Sequence, residues 1–327
     1  MRHHLTVWVI GLIFLVSPVF GASAPQTLRV AYTSVTGNRA PFWIAKEAKL
    51  FEKHGLQVEL IYLQSVAVGL PALVGGDVQI LAGGAAAMLS AASRGAKLIL
   101  FGTFGPTPYV LFTRPEIQTL TQLKGAIIGV NRIGASDYYA LRRVLQKLDF
   151  SPDRDVKIIT AGAPKDRLIA LDKGAIDGTL GTDMTIVTTP VKARRLVDLT
   201  QFGVEDHGSA LVTTSEFARS RPDTMNQFVR AFIEAIALGK KDKNLAKKVY
   251  AKYLRLSDDT LLELNHKVYL AGSIPKIPTF PIDALKNVIS DLAEENPKAR
   301  GINIDEVLDN SFIQRQVDNG FIDRLYR

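Results

Sequence analysis

One short pattern occurs twice in this chain and limits its possible folds more than any other feature. Residues 72–79 read Ala-Leu-Val-Gly-Gly-Asp-Val-Gln, and residues 170–177 read Ala-Leu-Asp-Lys-Gly-Ala-Ile-Asp. Because glycine commonly ends a helix, each copy alone indicates little more than a helix end. Strand-like runs precede and follow both copies, however, and the copies lie about one domain-length apart. The repeat therefore favours two similar α/β lobes, which can close on something small between them.

The remaining predicted elements agree with two lobes. Short strand-like runs alternate with helical patterns along most of the chain. The predicted strands are 28–32, 56–63, 78–81 and 97–101 in the first half and 126–130, 156–160 and 176–180 in the second. This alternation is typical of a mostly parallel sheet wrapped by helices. We therefore predict an α/β fold in which each lobe has its own sheet.

Two extended runs, near 110–115 and 208–213, predict two crossings between the lobes. After residue 215 the pattern is almost wholly helical, and helices without intervening strands should pack against the first lobe. The predicted domains are a leader at 1–24, a first lobe of 25–112 plus 212–327, and a second lobe of 113–211.

The first 24 residues have the layout of a secretory signal peptide. Arg2 precedes an apolar run at 5–16, and small residues follow the helix-breaking Pro18. The apolar run is shorter than the ~20 residues that a spanning helix needs, so we expect cleavage after Gly21 or Ser23. The chain contains no cysteine, which excludes disulfides and the lipid-accepting cysteine of an anchored lipoprotein. These features predict a monomer that diffuses freely in the periplasm.

Composition and motifs narrow the function classes. The chain has 40 Lys and Arg against 32 Asp and Glu, a net charge of +8, but its basic residues are scattered. Together with the export signal, this argues against a nucleic-acid partner and predicts a mild attraction of small anions. No cysteine nucleophile, His-Glu-x-x-His, Gly-x-Ser-x-Gly or phosphate loop is present. We predict no catalytic residue, metal or cofactor.

Candidate ligand contacts follow the predicted strands, because parallel sheets bind ligands at the carboxyl ends of their strands. In the first lobe the candidates are Ser34, Asn38, Arg39, Ser65, Gly83, Gly84 and Ala85. The turn at 83–86 has two interpretations. Its backbone amides can hold an anion at a helix start, or its glycines can simply allow a helix to pack closely on a strand. The polar residues can equally be ordinary surface-turn residues.

In the second lobe the candidates are Arg132, Gly134, Ser136 and Asp183, with Tyr109 beside the first crossing as a residue that can stack on a ligand. Arg132 can clamp an anion with two hydrogen bonds or lie solvated on the rim. Ser136 can cap a helix or donate to the ligand. Asp137 would repel an anion if its carboxylate faced the cleft. Asp183 has a structural interpretation as well as a binding one.

Several segments together resemble the solute-binding proteins of ABC transporters, in the nitrate/sulfonate/taurine branch. The matching segments are 42–45 through 52–56, 72–73 with 76–77, 123–125 with 128–130 and Gly134, 168–176, and 311–312 with 320–322. They cover nearly the whole mature chain, and their order and spacing carry the resemblance. It implies the two-lobed type II periplasmic-binding-protein architecture and a membrane permease as partner.

The resemblance leaves two alternatives and the ligand open. The same fold serves in ligand sensors that dock on a membrane receptor, and in a pyrimidine-synthase branch that depends on cysteine and histidine chemistry. Three departures from the family pattern concern the ligand site. Gln79 stands where the family commonly has Asp, Pro71 falls inside a short helix, and Ser65-Val66 replaces a Ser-Gly-type turn.

Overall fold

The computed structural model describes residues 27–152, 154–204 and 207–327, so the predicted leader at 1–24 lies outside the described residues. Within those ranges, no helix is both long enough and apolar enough to cross a membrane. The described strands are β1 Leu28–Tyr32, β2 Val58–Tyr62, β3 Ile80–Gly84, β4 Leu98–Thr103, β5 Val110–Thr113, β6 Ile127–Val130, β7 Lys157–Thr160, β8 Gly178–Gly181, β9 Arg194–Asp198 and β10 Ser209–Thr214.

The described strands form two sheets of the same design. The first has the order β2-β1-β3-β10-β4 and the second the order β7-β6-β8-β5-β9. In each sheet the first three strands are parallel, and one strand inserted near the far edge runs antiparallel to both of its neighbours. The prediction of an α/β fold with two mostly parallel sheets is confirmed, as is the two-lobed architecture.

The described helices wrap these sheets. They are α1 Ala40–Glu47, α2 Leu50–Lys53, α3 Val66–Val74, α4 Ala85–Ala92, α5 Ser136–Lys147, α6 Pro164–Asp172, α7 Asp183–Val187, α8 Ser215–Ser220, α9 Pro222–Lys241, α10 Lys243–Leu254, α11 Asp259–Asn265, α12 Ile282–Glu295, α13 Ile304–Val307, α14 Ser311–Asp318 and α15 Phe321–Tyr326. A π-helix, His266–Ser273, continues directly from α11.

The sequence repeat corresponds to one unit in each sheet: β2-α3-β3 in the first and β7-α6-β8 in the second. Gly76 and Gly174, at the same place in both copies, have φ angles of +81° and +71°. The Gln79 side chain accepts a hydrogen bond from the Arg29 amide at 2.9 Å, and Asp177 accepts one from the Ile127 amide at 2.7 Å. Gln79 therefore ties neighbouring strands together as Asp177 does, although the family commonly has Asp at its position.

The chain passes from the first sheet to the second between the end of β4 at Thr103 and the start of β5 at Val110, and it returns between the end of β9 at Asp198 and the start of β10 at Ser209. The extended runs that predicted crossings are β5 and β10, the antiparallel strands inside the sheets. Val110, Leu111 and Phe112 are buried, because β5 lies between β8 and β9. A fully buried strand and an extended crossing have the same short apolar pattern, which explains the difference.

The C-terminal helices enlarge the core of the first lobe. The long helix α9 packs on α1 and α2, and α14 and α15 pack on α9. The Phe228 and Phe232 rings of α9 contact Phe42 of α1, with ring-centroid distances of 6.1 and 5.7 Å. Phe104, at the start of the first link between the sheets, joins this cluster at 5.2 Å from Phe42. The aromatic core therefore extends directly beneath one side of the cleft.

Candidate ligand-binding cleft

A cavity of about 700 Å³ lies between the two sheets and is lined from both lobes. The loop after β1, the end of β3 and the start of β10 contribute on one side. The loop after β6, the segment after β8 and the start of α6 contribute on the other. These are the carboxyl ends of the parallel strands, where sheets of this kind bind ligands. The volume falls in the range of sites for small organic molecules.

Arg39 is the most unusual residue of this cavity. Its side chain is only 3% exposed, and its guanidinium lies 4.2 Å above the Phe104 ring. One terminal nitrogen, Nη2, donates to Ser209 Oγ at 2.7 Å, whereas Nε and Nη1 have no acceptor among the described residues. Burial lowers the pKa of Arg39 to about 9, so the group is still charged at neutral pH.

No Asp or Glu is found among the described residues that line the cavity, so none of them neutralises Arg39 there. Lys165, at the start of α6, is a second and exposed cation on the opposite wall. Hydroxyl groups dominate the rest of the polar lining. They come from Thr33, Ser34, Thr36, Thr107, Tyr109, Ser136, Thr182, Thr185, Thr188, Ser209, Tyr269 and Ser273. A buried cation and neutral donors together suit a ligand that carries negative charge.

Asp137 does not oppose that charge, although its sequence position suggested that it could. Its Oδ2 accepts from the Asn131 amide at 2.7 Å and lies 3.3 Å from Nη2 of the buried Arg167. Arg167 also donates to Thr179 Oγ1 and to the Leu180 carbonyl. Burial raises the pKa of Asp137, while the Asn131 amide and Arg167 act in the opposite direction. Asp137 is thus an internal partner for Arg167 and the start of α5.

Replacing Asp137 by Ala should lower the free energy of unfolding by about 3–5 kcal/mol, because it leaves the Arg167 charge buried without its partner. Urea unfolding followed by circular dichroism measures the change. Asp183→Ala is the matched control, since Asp183 is partly exposed and pairs with Arg195 at 3.1 Å. That pair is worth about 0–1 kcal/mol. Equal losses for the two variants would contradict the buried-pair interpretation.

Six of the twelve sequence candidates line the cavity: Ser34, Asn38, Arg39, Gly84, Tyr109 and Ser136. The other six are Ser65, Gly83, Ala85, Arg132, Gly134 and Asp183, which lie outside the lining. Ser65 caps α3, and Arg132 is exposed. The Ala85 amide donates to the Gly208 carbonyl at 2.9 Å, so it is already engaged within the protein.

Gly83 and Ser136 each had two possible roles in the sequence, one structural and one in ligand binding. A Cβ added to Gly83 would lie 2.8 Å from Val66 Cγ2 and 2.9 Å from Thr33 Oγ1, which accords with the close-packing role of that glycine. Ser136 is the first residue of α5 and makes no capping hydrogen bond, because the preceding Ala135 holds the cap position. Its hydroxyl lies on the cavity wall.

A third wall of the cavity consists of residues that are not among the sequence candidates. Asn265, Tyr269 and Ser273 lie on α11 and the π-helix, four residues apart, and all three line the cavity. A Cβ on Gly37 would fall 2.2 Å from the Tyr269 ring, so this ring packs directly on the loop that carries Arg39. The regular spacing of four is the one sequence signal that could have indicated a shared face. Met184, Leu254 and Leu256 add an apolar part to the same cavity.

The chain resembles the periplasmic aliphatic sulphonate binding protein SsuA from Escherichia coli (20% identity, 84% of this chain and 88% of that one, TM-score 0.69). It also resembles the alkanesulfonate-binding protein SsuA from Xanthomonas axonopodis pv. citri (22% identity, 85% and 95%, TM-score 0.65). The periplasmic nitrate-binding protein NrtA from Synechocystis PCC 6803 is similar too (12% identity, 90% and 89%, TM-score 0.62).

These likenesses establish the fold and confirm the resemblance to ABC-transporter binding proteins that the sequence segments indicated. No curated protein matches the sequence significantly. A family model described as NMT1/THI5 like matches residues 36–242, which is more than half of the 327 residues. The chain therefore belongs to the NMT1/THI5-like family.

Proposed function

We propose that this protein is the periplasmic solute-binding component of an ABC importer, which captures a small anion between its lobes and delivers it to a membrane permease. The observation that carries the proposal is Arg39, a buried cation on the cavity wall whose Nε and Nη1 nitrogens lack an acceptor among the described residues. An unpaired buried donor costs about 1–3 kcal/mol, and more when it is charged. An anionic ligand that reaches these nitrogens as the lobes close offsets that cost by accepting their hydrogen bonds.

The proposed ligand is an organic anion such as a sulfonate or a carboxylate. A cavity of about 700 Å³ is much larger than an inorganic anion of four atoms needs. The acidic group would face Arg39, and the carbon skeleton would extend toward Met184, Leu254 and Leu256. Similar proteins are described as binding aliphatic sulphonate, alkanesulfonate or nitrate, which agrees with an anionic ligand.

Capture would depend on closure of the two lobes. Arg39 and Ser209 belong to the wall formed by the first lobe, whereas Ser136 and Thr182 belong to the second. A ligand that contacts both walls binds the closed arrangement better than the open one, and it therefore shifts the hinge equilibrium toward closure. The closed form is the one that we propose a permease recognises.

A thermal-shift screen tests this function on the purified mature protein. The panel contains sulfonates, nitrate, carboxylates, cationic pyrimidines and neutral analogues of the same size. A tight ligand raises Tm by mass action. At a free concentration of 100 times its Kd, the ligand adds about 2.7 kcal/mol to the free energy of unfolding. We expect the largest shift from an organic anion. A larger shift from a neutral or cationic compound would contradict the proposed ligand class.

A ligand sensor that docks on a membrane receptor is the alternative that the sequence resemblance left open. Both roles use the same cleft, so the partner distinguishes them. An importer component should support uptake of the ligand into vesicles that contain its permease and ATPase, whereas a sensor should not. The pyrimidine-synthase alternative depends on a cysteine, and this chain has none.

The proposed location predicts a processed N-terminus. N-terminal sequencing of the protein from a periplasmic extract should begin at Ala22 or Ala24, because small residues follow the apolar run in the pattern of a signal peptidase site. A membrane-fraction protein that still begins at Met1 would contradict export with cleavage.

A further inference from the structure

Two ion pairs join the lobes away from the cavity. Arg143 of α5 donates from Nη1 to the carboxylate of Asp291 on α12, and Arg142 Nη2 lies 3.7 Å from Glu294 Oε2 on the same helix. The side chains of Arg143 and Asp291 are 20% and 15% exposed, so this pair is largely shielded from water. Arg142 lies over the Tyr138 ring, with its Cζ 5.3 Å from the centroid. Opposite charges therefore meet across the two lobes.

Both helices are firmly held by their own lobes. Tyr139, Leu141 and Val144 of α5 are buried in the core cluster of the second lobe. Leu285 and Val288 of α12 are buried in a core cluster of the first lobe, where α12 packs on α4. A force between the two helices therefore acts between the lobes as whole bodies.

These ion pairs lie between the lobes and outside the cavity lining. None of their four residues is among the described residues that line the cavity. Helix α5, however, begins at the cavity with Ser136, and Gly84, the residue before α4, also lines it. Opening the cleft by moving α5 away from α12 and α4 would separate Arg143 from Asp291.

We propose that the Arg143–Asp291 and Arg142–Glu294 pairs form a latch that holds the lobes, before any ligand binds, in the arrangement described here, which we take as the closed state. The inference rests on the proposed function in taking the two lobes as bodies that open and close. A shielded hydrogen bond between charged groups corresponds to a change of about tenfold or more in an equilibrium constant. Breaking the latch therefore lowers the ligand-free ratio of closed to open protein by about tenfold. Apparent affinity for every ligand falls together when closed molecules become rare, because binding needs the closed form.

The test measures distances in the ligand-free protein. The chain contains no cysteine, so Asp77→Cys and Lys173→Cys, both at exposed positions and one in each lobe, provide two clean sites for spin labels. Pulsed electron-electron resonance then gives the populations of short and long distances. Asp291→Lys breaks the pair by charge reversal, and Arg143→Glu with Asp291→Lys restores it with the charges exchanged.

Asp283→Lys is the matched control, because it makes the same change on the same helix. Asp283 is highly exposed, and its ion pair among the described residues lies within α12, with Lys286 at 3.4 Å. We expect Asp291→Lys to shift the distribution toward the open state, the exchanged double variant to restore the wild-type distribution, and Asp283→Lys to leave it unchanged. An Asp291→Lys distribution equal to that of wild type, or a double variant as open as the single one, would overturn the latch.

The same measurement separates the latch from the proposed function. If the latch variants shift the ligand-free distribution but no anion of the panel closes the protein further, the latch stands and the anion-binding function fails. If an anion closes both wild type and Asp291→Lys from the same starting distribution, the function stands and the latch fails. Circular dichroism and thermal unfolding of each variant confirm that the fold is intact.

Discussion

Arg39→Gln should weaken binding of the anion selected by the thermal-shift screen by roughly 30-fold or more. Truncating one partner of a buried, hydrogen-bonded charge pair costs about 2–5 kcal/mol. Arg39→Lys should fall between wild type and Arg39→Gln, because it keeps the charge but loses the planar fork of donors. Isothermal titration calorimetry of the three proteins measures these affinities.

Arg132→Ala is the matched control for this prediction. Arg132 is exposed and lies outside the cavity lining, and its removal also deletes one positive charge from the chain. It should bind as wild type does. The ligand-free Arg39→Gln protein should be at least as stable as wild type, because the variant removes a buried charge that lacks a full set of partners. A larger loss of affinity in Arg132→Ala than in Arg39→Gln would reverse the assignment.

Gly105→Ala should destabilise the protein by about 2–5 kcal/mol, because it adds a strained backbone and a close contact. Gly105 has a φ of +82°, which costs an L-residue about 1–2 kcal/mol. An added Cβ would also lie 2.0 Å from the Ser273 carbonyl oxygen, and this backbone atom cannot rotate away. Forcing it to move adds about 1–3 kcal/mol. Urea unfolding measures the total loss in the free energy of unfolding.

Gly125→Ala separates the two contributions. Gly125 has the same φ of +82°, but nothing lies within 4 Å of its added Cβ. Only the backbone cost of about 1–2 kcal/mol should appear there. Because Ser273 lines the cavity, Gly105→Ala should also weaken ligand binding, whereas Gly125→Ala should not. Equal destabilisation by the two substitutions would show that the contact with Ser273 does not restrain the first link between the lobes.

The two-lobed fold could be predicted from sequence because its signals are local and occur twice. Each copy of the repeat carries its own helix end and flanking strands, and Gly76 and Gly174 take the left-handed conformation that their positions indicated. The links between the lobes are harder to place from sequence. The run at 110–113 is equally compatible with a crossing and with a central buried strand, and only the pairing of β5 with β8 and β9 decides between them.

The site was less predictable because its chemistry depends on contacts between distant parts of the chain. Arg39 and Arg132 both follow predicted strands, so sequence position gave no reason to prefer either. Phe104 and Ser209, which hold Arg39 in its buried place, are far from it in sequence. The sequence position of Asp137 likewise suggests repulsion of an anion, whereas in the fold its carboxylate lies beside Arg167. Burial and pairing, which only the fold supplies, decide these roles.

The most direct test of the account observes the Arg39 guanidinium itself. In protein labelled with ¹⁵N-arginine, the Nε–H signal of Arg39 is identified as the one missing from Arg39→Lys. On saturation with the anion chosen by the screen, we expect this signal to move downfield and to exchange more slowly with water, because Nε–H gains a charged acceptor. An Arg39 signal that stays unchanged while the ligand saturates the protein would contradict the central claim that Arg39 holds the anion.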